Sequence, residues 1–185
     1  MTIYTIGHSN RTLDALLRML DEQRLGCLVD VRSRPGSTRF PWFDQSSLER
    51  ALGRVGIHYF WEGESLGGRR PAAPGETRHI ALEGGFRAFA SHMETPAFRA
   101  GIERLLERAS TFRTAVLCAE KDPRQCHRWL IADELWVRGH EVRHLIAPGE
   151  ALGHRLHPAA RREGGGLIYD RGPVMPDVFS SQDPA

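Results

Sequence analysis

Short apolar runs alternate along the chain with longer segments in which apolar residues recur every three or four positions. Such runs are typical of buried parallel strands, and the periodic segments are typical of helices that bury one face. The pattern predicts strands at residues 3–6, 27–31, 57–61, 114–118 and 141–146. Because strands and helices alternate, we expect an α/β fold: one domain with a mostly parallel sheet of about five strands flanked by helices, Rossmann-like or doubly wound.

Composition agrees with one soluble globular domain, since 41% of the 185 residues are hydrophobic and 26% are charged. We assign the domain to residues 1–147, and we expect residues 148–185, which are rich in Pro, Gly and Arg, to form a partly ordered C-terminal extension. No apolar run approaches the roughly 20 residues that a helix needs to cross a bilayer. We therefore predict no membrane contact and a cytoplasmic location. Three cysteines do not suit a disulfide framework, so we expect reduced thiols.

Polar residues follow four of the predicted strands, and they are the first candidates for a functional site. These clusters lie at residues 7–9, 30–34, 62–68 and 118–120. In open parallel sheets, ligands bind beyond the carboxyl ends of the strands. We therefore predict that the four clusters share one edge of the sheet and line one pocket there.

Residues 115–128 carry the strongest local signals, because an apolar strand runs directly into a helix start. Asp122 is a good N-cap and Pro123 suits the first helical position, which predicts a helix over residues 122–138. Cys118 would then face the positive end of that helix and could act as a thiolate nucleophile, although a buried structural cysteine is an equal alternative. Cys126 would lie in the first helical turn, packed against the sheet.

Cys118, Cys126 and His127 could also bind zinc, together with His8 or His144. The usual ligand pairs, two to four residues apart, are absent. The adjacent Cys126 and His127 would also point to different sides of the predicted helix. We therefore predict no metal site, and we predict no cofactor.

Acid–base candidates occur at two strand ends. A lone carboxylate inside an apolar strand is costly, so Asp30 is expected to pair with Arg32. That pair is either structural or part of a site in which Arg32 and Arg34 bind an anion and Asp30 transfers protons. His8 is either a partner of the turn or, with Ser9, a general base.

Glycines mark a further candidate segment. The Gly67–Gly68 pair precedes Arg69 and Arg70. A glycine pair suits close approach of the backbone to a phosphate, but a plain turn is the favoured interpretation.

Several motifs follow one another at residues 4–9, 29–35, 66–68, 118–120 and 126–128, with Gly139, Val142 and His144 beyond them. Their order and intervals resemble the family catalogued as domain of unknown function 488, from about residue 3 to residue 146. The resemblance implies a single α/β domain and supplies no reaction, because the family has no established activity. The pattern positions that it implies here are Gly7, His8, Ser9, Asp30, Arg32, Pro35, Gly67, Gly68, Cys118, Glu120, Cys126, His127 and Arg128.

These observations predict an enzyme that acts on a small anionic or nucleotide-like substrate. A thiol- or carboxylate-dependent transferase or hydrolase is the favoured reaction class. The catalytic candidates are Cys118, Asp30, Glu120 and His8. The substrate-binding candidates are Ser9, Arg32, Arg34, Gly67, Gly68, Cys126, His127 and Arg128. The alternative is a non-catalytic module that binds a nucleotide or nucleic acid through the same arginines. The sequence does not predict an oligomeric state.

Overall fold

Six strands form one sheet in the computed structural model, which describes residues 1–72 and 77–172. In chain order they are β1 (Thr2–Gly7), β2 (Cys27–Asp30), β3 (His58–Trp61), β4 (Thr114–Cys118), β5 (Glu141–Ala147) and β6 (Glu150–Gly153). Their order in the sheet is β3-β2-β4-β1-β5-β6. The first five strands pair in parallel, and β6 pairs antiparallel with β5. The prediction of a single α/β domain with a mostly parallel sheet is confirmed.

Helices cover both faces of the sheet. They are α1 (Leu13–Glu22), α2 (Gln45–Arg54), α3 (Gly63–Leu66), α4 (Gly84–Met93), α5 (Pro96–Thr111) and α6 (Arg128–Val137). Neighbouring strand residues belong to different buried clusters, as Val116 and Leu117 do. This follows from the alternation of side chains along a strand. One cluster joins the sheet to α1 and α2, and the other joins it to α4, α5 and α6. No helix in the described ranges is both long enough and apolar enough to cross a membrane.

The predicted helix start at Asp122 is wrong. Asp122 accepts a hydrogen bond from the backbone of Arg124, but it caps only a short 3₁₀ turn at Pro123–Gln125. Cys126 is extended, with φ −143° and ψ 141°, and α6 begins at Arg128. Cys126 and His127 therefore lie in a loop before the helix.

The prediction that the strand at residues 141–146 is the last one is also wrong. Gly149, with φ +70°, turns the chain from β5 into β6. Two further strands, β7 (Ala160–Glu163) and β8 (Gly166–Tyr169), pair as a hairpin. Gly164 and Gly165 have φ values of +57° and +84°, and these glycines form the hairpin turn between β7 and β8. Tyr169 is fully buried in one of the two core clusters.

Candidate functional site

A cleft of about 1060 Å³ lies at the carboxyl edge of the sheet. The residues that follow β1, β2 and β4 line it, together with the loop after α3. The predicted site residues that line this cleft are His8, Arg32, Arg34, Gly68, Cys118, Glu120, Cys126 and His127. The predicted site residues that are not part of its lining are Ser9, Asp30, Gly67 and Arg128. The ends of β1, β2 and β4 therefore meet at this cleft, as expected, but four of the predicted site residues do not line it.

Positive charge dominates the cleft, because four arginines line it and Glu120 is the one carboxylate among its described lining residues. Arg34 and Arg69 are exposed, and neither side chain has a hydrogen-bond or ion-pair partner within residues 1–72 and 77–172. Arg70 is half-buried and donates to the carbonyls of Gly67 (2.8 Å) and Glu64 (2.7 Å). Arg69 and Arg70 line the cleft but were not predicted as site residues. They directly follow Gly67 and Gly68, which were predicted.

Asp30 is fully buried behind the cleft and is paired with Arg32. Its carboxylate accepts from Arg32 Nη2 at 2.6 Å and from the Tyr59 hydroxyl at 2.7 Å. Arg32 Nη1 also donates to the Phe43 carbonyl at 2.8 Å. Burial alone would lower the pKa of Arg32, but its hydrogen bond with Asp30 and the Asp30 charge raise it. Asp30 therefore orients Arg32 at the cleft wall, which favours the structural alternative over the predicted proton transfer by Asp30.

His8 lines the cleft and is held as a neutral imidazole. Its Nδ1 lies 2.9 Å from the Ser9 carbonyl, and its ring packs on Phe43 with 4.5 Å between centroids. Burial and the nearby charge of Arg32 lower the pKa of His8 to about 4. Because Nδ1 donates to the carbonyl, Nε2 is the unprotonated nitrogen. His8 is thus in the form that accepts a proton.

Ser9 has a positive φ of 49°, and its backbone N–H donates to the Ala119 carbonyl at 2.7 Å. This bond ties the turn after β1 to the loop after β4. The structure therefore gives Ser9 a role in loop geometry and places its side chain outside the cleft lining.

Glu120 is a half-buried carboxylate at the cleft wall. No side-chain hydrogen bond or ion pair to it is present in the described part of the chain. Burial and the neighbouring Cys126 sulfur raise its pKa above the ordinary value for glutamate. An unpaired carboxylate facing a cleft is free to exchange a proton with a ligand.

Arg128 fixes the loop that carries Glu120. Its guanidinium is fully buried and donates to the carbonyls of Glu120 and, at 2.8 Å, Lys121. Gly7 packs beneath the same loop, since a Cβ there would lie 1.7 Å from the Glu120 carbonyl oxygen. Arg128 therefore binds backbone, and the structure does not place it where the predicted anion would bind.

Gly67 and Gly68 both lie where the backbone packs too closely against its neighbours for a side chain to fit. A Cβ on Gly67 would lie 2.3 Å from the Gly63 carbonyl and 2.5 Å from Ser33 Oγ. A Cβ on Gly68 would lie 2.4 Å from His127 Nδ1. Gly68 thus lets the cleft wall approach the imidazole of His127.

Cys118, Cys126 and His127 form one buried cluster. Both sulfurs lie 3.7 Å from His127 Nδ1. The argument that Cys126 and His127 must point apart is therefore wrong, because both residues precede α6 and the 3₁₀ turn folds them back toward Cys118. Local spacing gave no signal for this arrangement, which depends on the extended backbone at Cys126.

The two thiols of this cluster titrate as a pair. The hydrogen bond with Cys126 and burial raise the pKa of Cys118 well above its ordinary value. Burial opposes ionisation of Cys126, but the hydrogen bond from Cys118 and the charge of Arg128 lower its pKa below the ordinary value. Burial and the hydrogen bond with Cys126 both oppose ionisation of Cys118, which speaks against Cys118 as an activated nucleophile.

Comparison with known proteins gave one match. A family model described as domain of unknown function DUF488 matches residues 12–135. This range contains the residues that follow β2 and β4, and it leaves His8 and Ser9 outside. Neither a search of curated proteins nor a search of solved structures gave a match.

Proposed function

The chain belongs to the family described as domain of unknown function DUF488, and because that description names no reaction, we propose a function from the cleft itself. The protein is an enzyme that acts on a small anionic or nucleotide-like substrate at the carboxyl edge of its sheet. The unpaired Glu120 carboxylate inside an otherwise positive cleft is the observation that carries this proposal.

Anion binding is supported by the arginines of the cleft. The side chains of Arg34 and Arg69 are exposed and have no partner among the residues described, so their guanidinium groups can pair with a phosphate or carboxylate without losing an internal contact. Arg32 is held rigidly by Asp30 and the Phe43 carbonyl. Its fixed position adds an oriented guanidinium to the cleft wall at no further cost in side-chain entropy, although Asp30 offsets its charge.

Proton transfer is supported by Glu120 and His8, which line the same cleft. Glu120 needs no ion pair to be broken before it can react, and His8 presents an unprotonated Nε2. A carboxyl and an imidazole in one cleft can act as general acid and general base. The Cys118 thiol is given no nucleophilic role in this proposal.

The proposal is tested by incubating the chain with a panel of nucleotides, phosphate esters and small carboxylates, and by following products with mass spectrometry. We expect turnover of at least one compound, and we expect Glu120→Gln to reduce that turnover by about 10²- to 10⁴-fold while ligand binding changes little. Glu49→Gln, at an exposed position of α2, is the matched control and should leave turnover unchanged. Turnover that survives Glu120→Gln would overturn the assignment.

Anion binding has its own test with the same compound. Arg34→Ala and Arg69→Ala should each weaken its binding about tenfold or more, whereas Arg54→Ala, on the exposed part of α2, should not. Binding of a nucleotide or oligonucleotide without turnover of any compound would instead favour the non-catalytic module. In that case the arginine variants would still weaken binding, but Glu120→Gln would have no reaction to change.

A further inference from the structure

Three donor atoms converge in the wall of the cleft. The Sγ atoms of Cys118 and Cys126 and the Nδ1 atom of His127 all lie within 4.8 Å of one another. Each sulfur lies 3.7 Å from the nitrogen. In tetrahedral zinc sites, Zn–S bonds of about 2.3 Å and Zn–N bonds of about 2.0–2.1 Å put sulfur and nitrogen about 3.6 Å apart. The observed sulfur–nitrogen distances therefore match those between ligands of one zinc ion.

The histidine of this cluster is oriented as a metal ligand would be. His127 Nε2 lies 3.2 Å from the Val31 carbonyl, so Nε2 carries the proton and the lone pair of Nδ1 faces the two sulfurs. A backbone carbonyl on the second ring nitrogen is the usual outer contact of a metal-bound histidine. Phe89 packs edge-on against the ring, with 4.9 Å between centroids, and Gly68 lies so close to the ring that a Cβ there would be 2.4 Å from Nδ1.

We propose that Cys118, Cys126 and His127 bind one zinc ion, with a fourth coordination position open to the cleft. Thiolate and imidazole donors select zinc over magnesium or calcium. Two thiolates also neutralise the charge of the ion, which a buried site requires. No other His, Cys, Asp or Glu side chain of the described residues joins this cluster, and all three ligands line the cleft.

An open fourth position is typical of catalytic zinc, whereas structural zinc has four protein ligands. Zinc at this position would add a Lewis acid or an activated water to the cleft that Glu120 lines. That use of the ion rests on the proposed function. The binding of the ion does not, because metal content is measured without any substrate.

The test is elemental analysis of the whole chain, purified under reducing conditions, equilibrated with zinc sulfate and freed of unbound metal. We expect stoichiometric zinc in the natural chain and a large loss of zinc in Cys118→Ala, Cys126→Ala and His127→Gln. Cys27→Ala is the matched control, since Cys27 is an equally buried cysteine in β2 outside the cluster. It should keep its zinc. Glu120→Gln should also keep it, which separates failure of the metal site from failure of the proposed reaction.

A second measurement needs no variant, so loss of folding cannot obscure it. Cobalt chloride added to the natural chain should give thiolate-to-cobalt charge-transfer absorption, and added zinc should abolish it. Bound zinc should likewise protect Cys118 and Cys126 from alkylation. A folded natural chain that stays free of zinc and gives no such absorption would overturn the proposal. Equal loss of zinc in Cys27→Ala and the cluster variants would overturn it as well.

Discussion

At position 68 a single hydrogen atom decides how closely the backbone can approach the imidazole of His127. A Cβ there would clash with three atoms of the ring, of which Nδ1 would be the nearest, at 2.4 Å. The ring cannot retreat easily, because Phe89 packs against it and Nε2 is bonded to the Val31 carbonyl. The glycine therefore sets the position of a donor atom in the neighbouring loop.

Gly68→Ala should consequently move His127 and loosen the cleft wall. We expect the free energy of unfolding to fall by about 1–3 kcal/mol, as overpacking does elsewhere. If the cluster binds zinc, zinc affinity should fall about 10- to 100-fold as well. Urea denaturation and competition with a zinc chelator measure the two effects.

The matched control for this change is Gly53→Ala in α2, where a Cβ would meet nothing within 4 Å. Gly53 lies in the last turn of α2, where alanine is still favoured over glycine but less than in a helix interior, so this variant should gain up to about 0.5 kcal/mol. If both alanines changed stability in the same direction, the steric explanation for Gly68 would be wrong.

At the scale of elements, a buried carboxylate joins the end of β3 to α5. Glu62 is 5% exposed and accepts from Arg104 Nη2 and Arg108 Nη1, each at 2.6 Å. Arg108 also lies over the Phe60 ring at 4.3 Å. Glu62 had been placed in a predicted site cluster, but it serves to hold the helix against the sheet.

Glu62→Gln should therefore weaken this helix contact. We expect a loss of about 1–3 kcal/mol in the free energy of unfolding at pH 7, at the lower end because Arg104 is 42% exposed. Burial opposes ionisation of Glu62, but Arg104 and Arg108 lower its pKa below 4.5. The stabilisation is therefore present above pH 4.5 and disappears as the pH falls through the lowered value.

Denaturation of the natural chain and the variant at several pH values measures the difference. Glu64→Gln is the control, because Glu64 is exposed in the first turn of α3 and its side chain is unpaired among the described residues. A stability difference for Glu62→Gln that stayed constant into strong acid would contradict the ion-pair explanation.

The same scale explains which elements the sequence could predict. Strand and helix periodicity is local, so the five parallel strands and the meeting of their ends were predictable from it. The start of α6 was not, because Asp122 and Pro123 form a genuine cap that lasts one turn, and only the tertiary position of Cys126 breaks the helix. β7 was missed because its residues are polar. Arg161 is held there by an ion pair with Asp170, at 2.7 Å, and not by an apolar face.

Over the whole molecule, a buried chain of hydrogen bonds ties the C-terminal strands to the sheet. Thr5 Oγ1 lies 2.7 Å from His144 Nδ1, and His144 Nε2 lies 3.0 Å from His154 Nδ1. His154 Nε2 lies 2.8 Å from Asp133, which also accepts from the Tyr169 hydroxyl at 3.0 Å. These contacts link β1, β5, α6 and β8. They are all satisfied when Thr5 donates to His144 Nδ1, His144 Nε2 donates to His154 Nδ1 and His154 Nε2 donates to Asp133, which leaves His144 without a second proton.

Protonation of His144 should therefore oppose folding. Burial and the neighbouring His154 lower the pKa of His144 from 6.5 to about 3. Because the unfolded chain binds this proton more readily, the stability that His144 contributes is complete above pH 6.5 and declines as the pH falls toward 3.

Between pH 7 and pH 5 the free energy of unfolding of the natural chain should fall by about 2 kcal/mol more than that of His144→Gln. This follows from about 1.4 kcal/mol for each pH unit below the pKa of the unfolded chain. Urea denaturation at the two pH values measures this, with His58→Gln, at an exposed histidine of β3, as the control for removing a histidine outside the buried chain. An unchanged pH dependence in His144→Gln would mean that the buried chain of hydrogen bonds accommodates the extra proton, and that the C-terminal strands do not depend on a neutral His144.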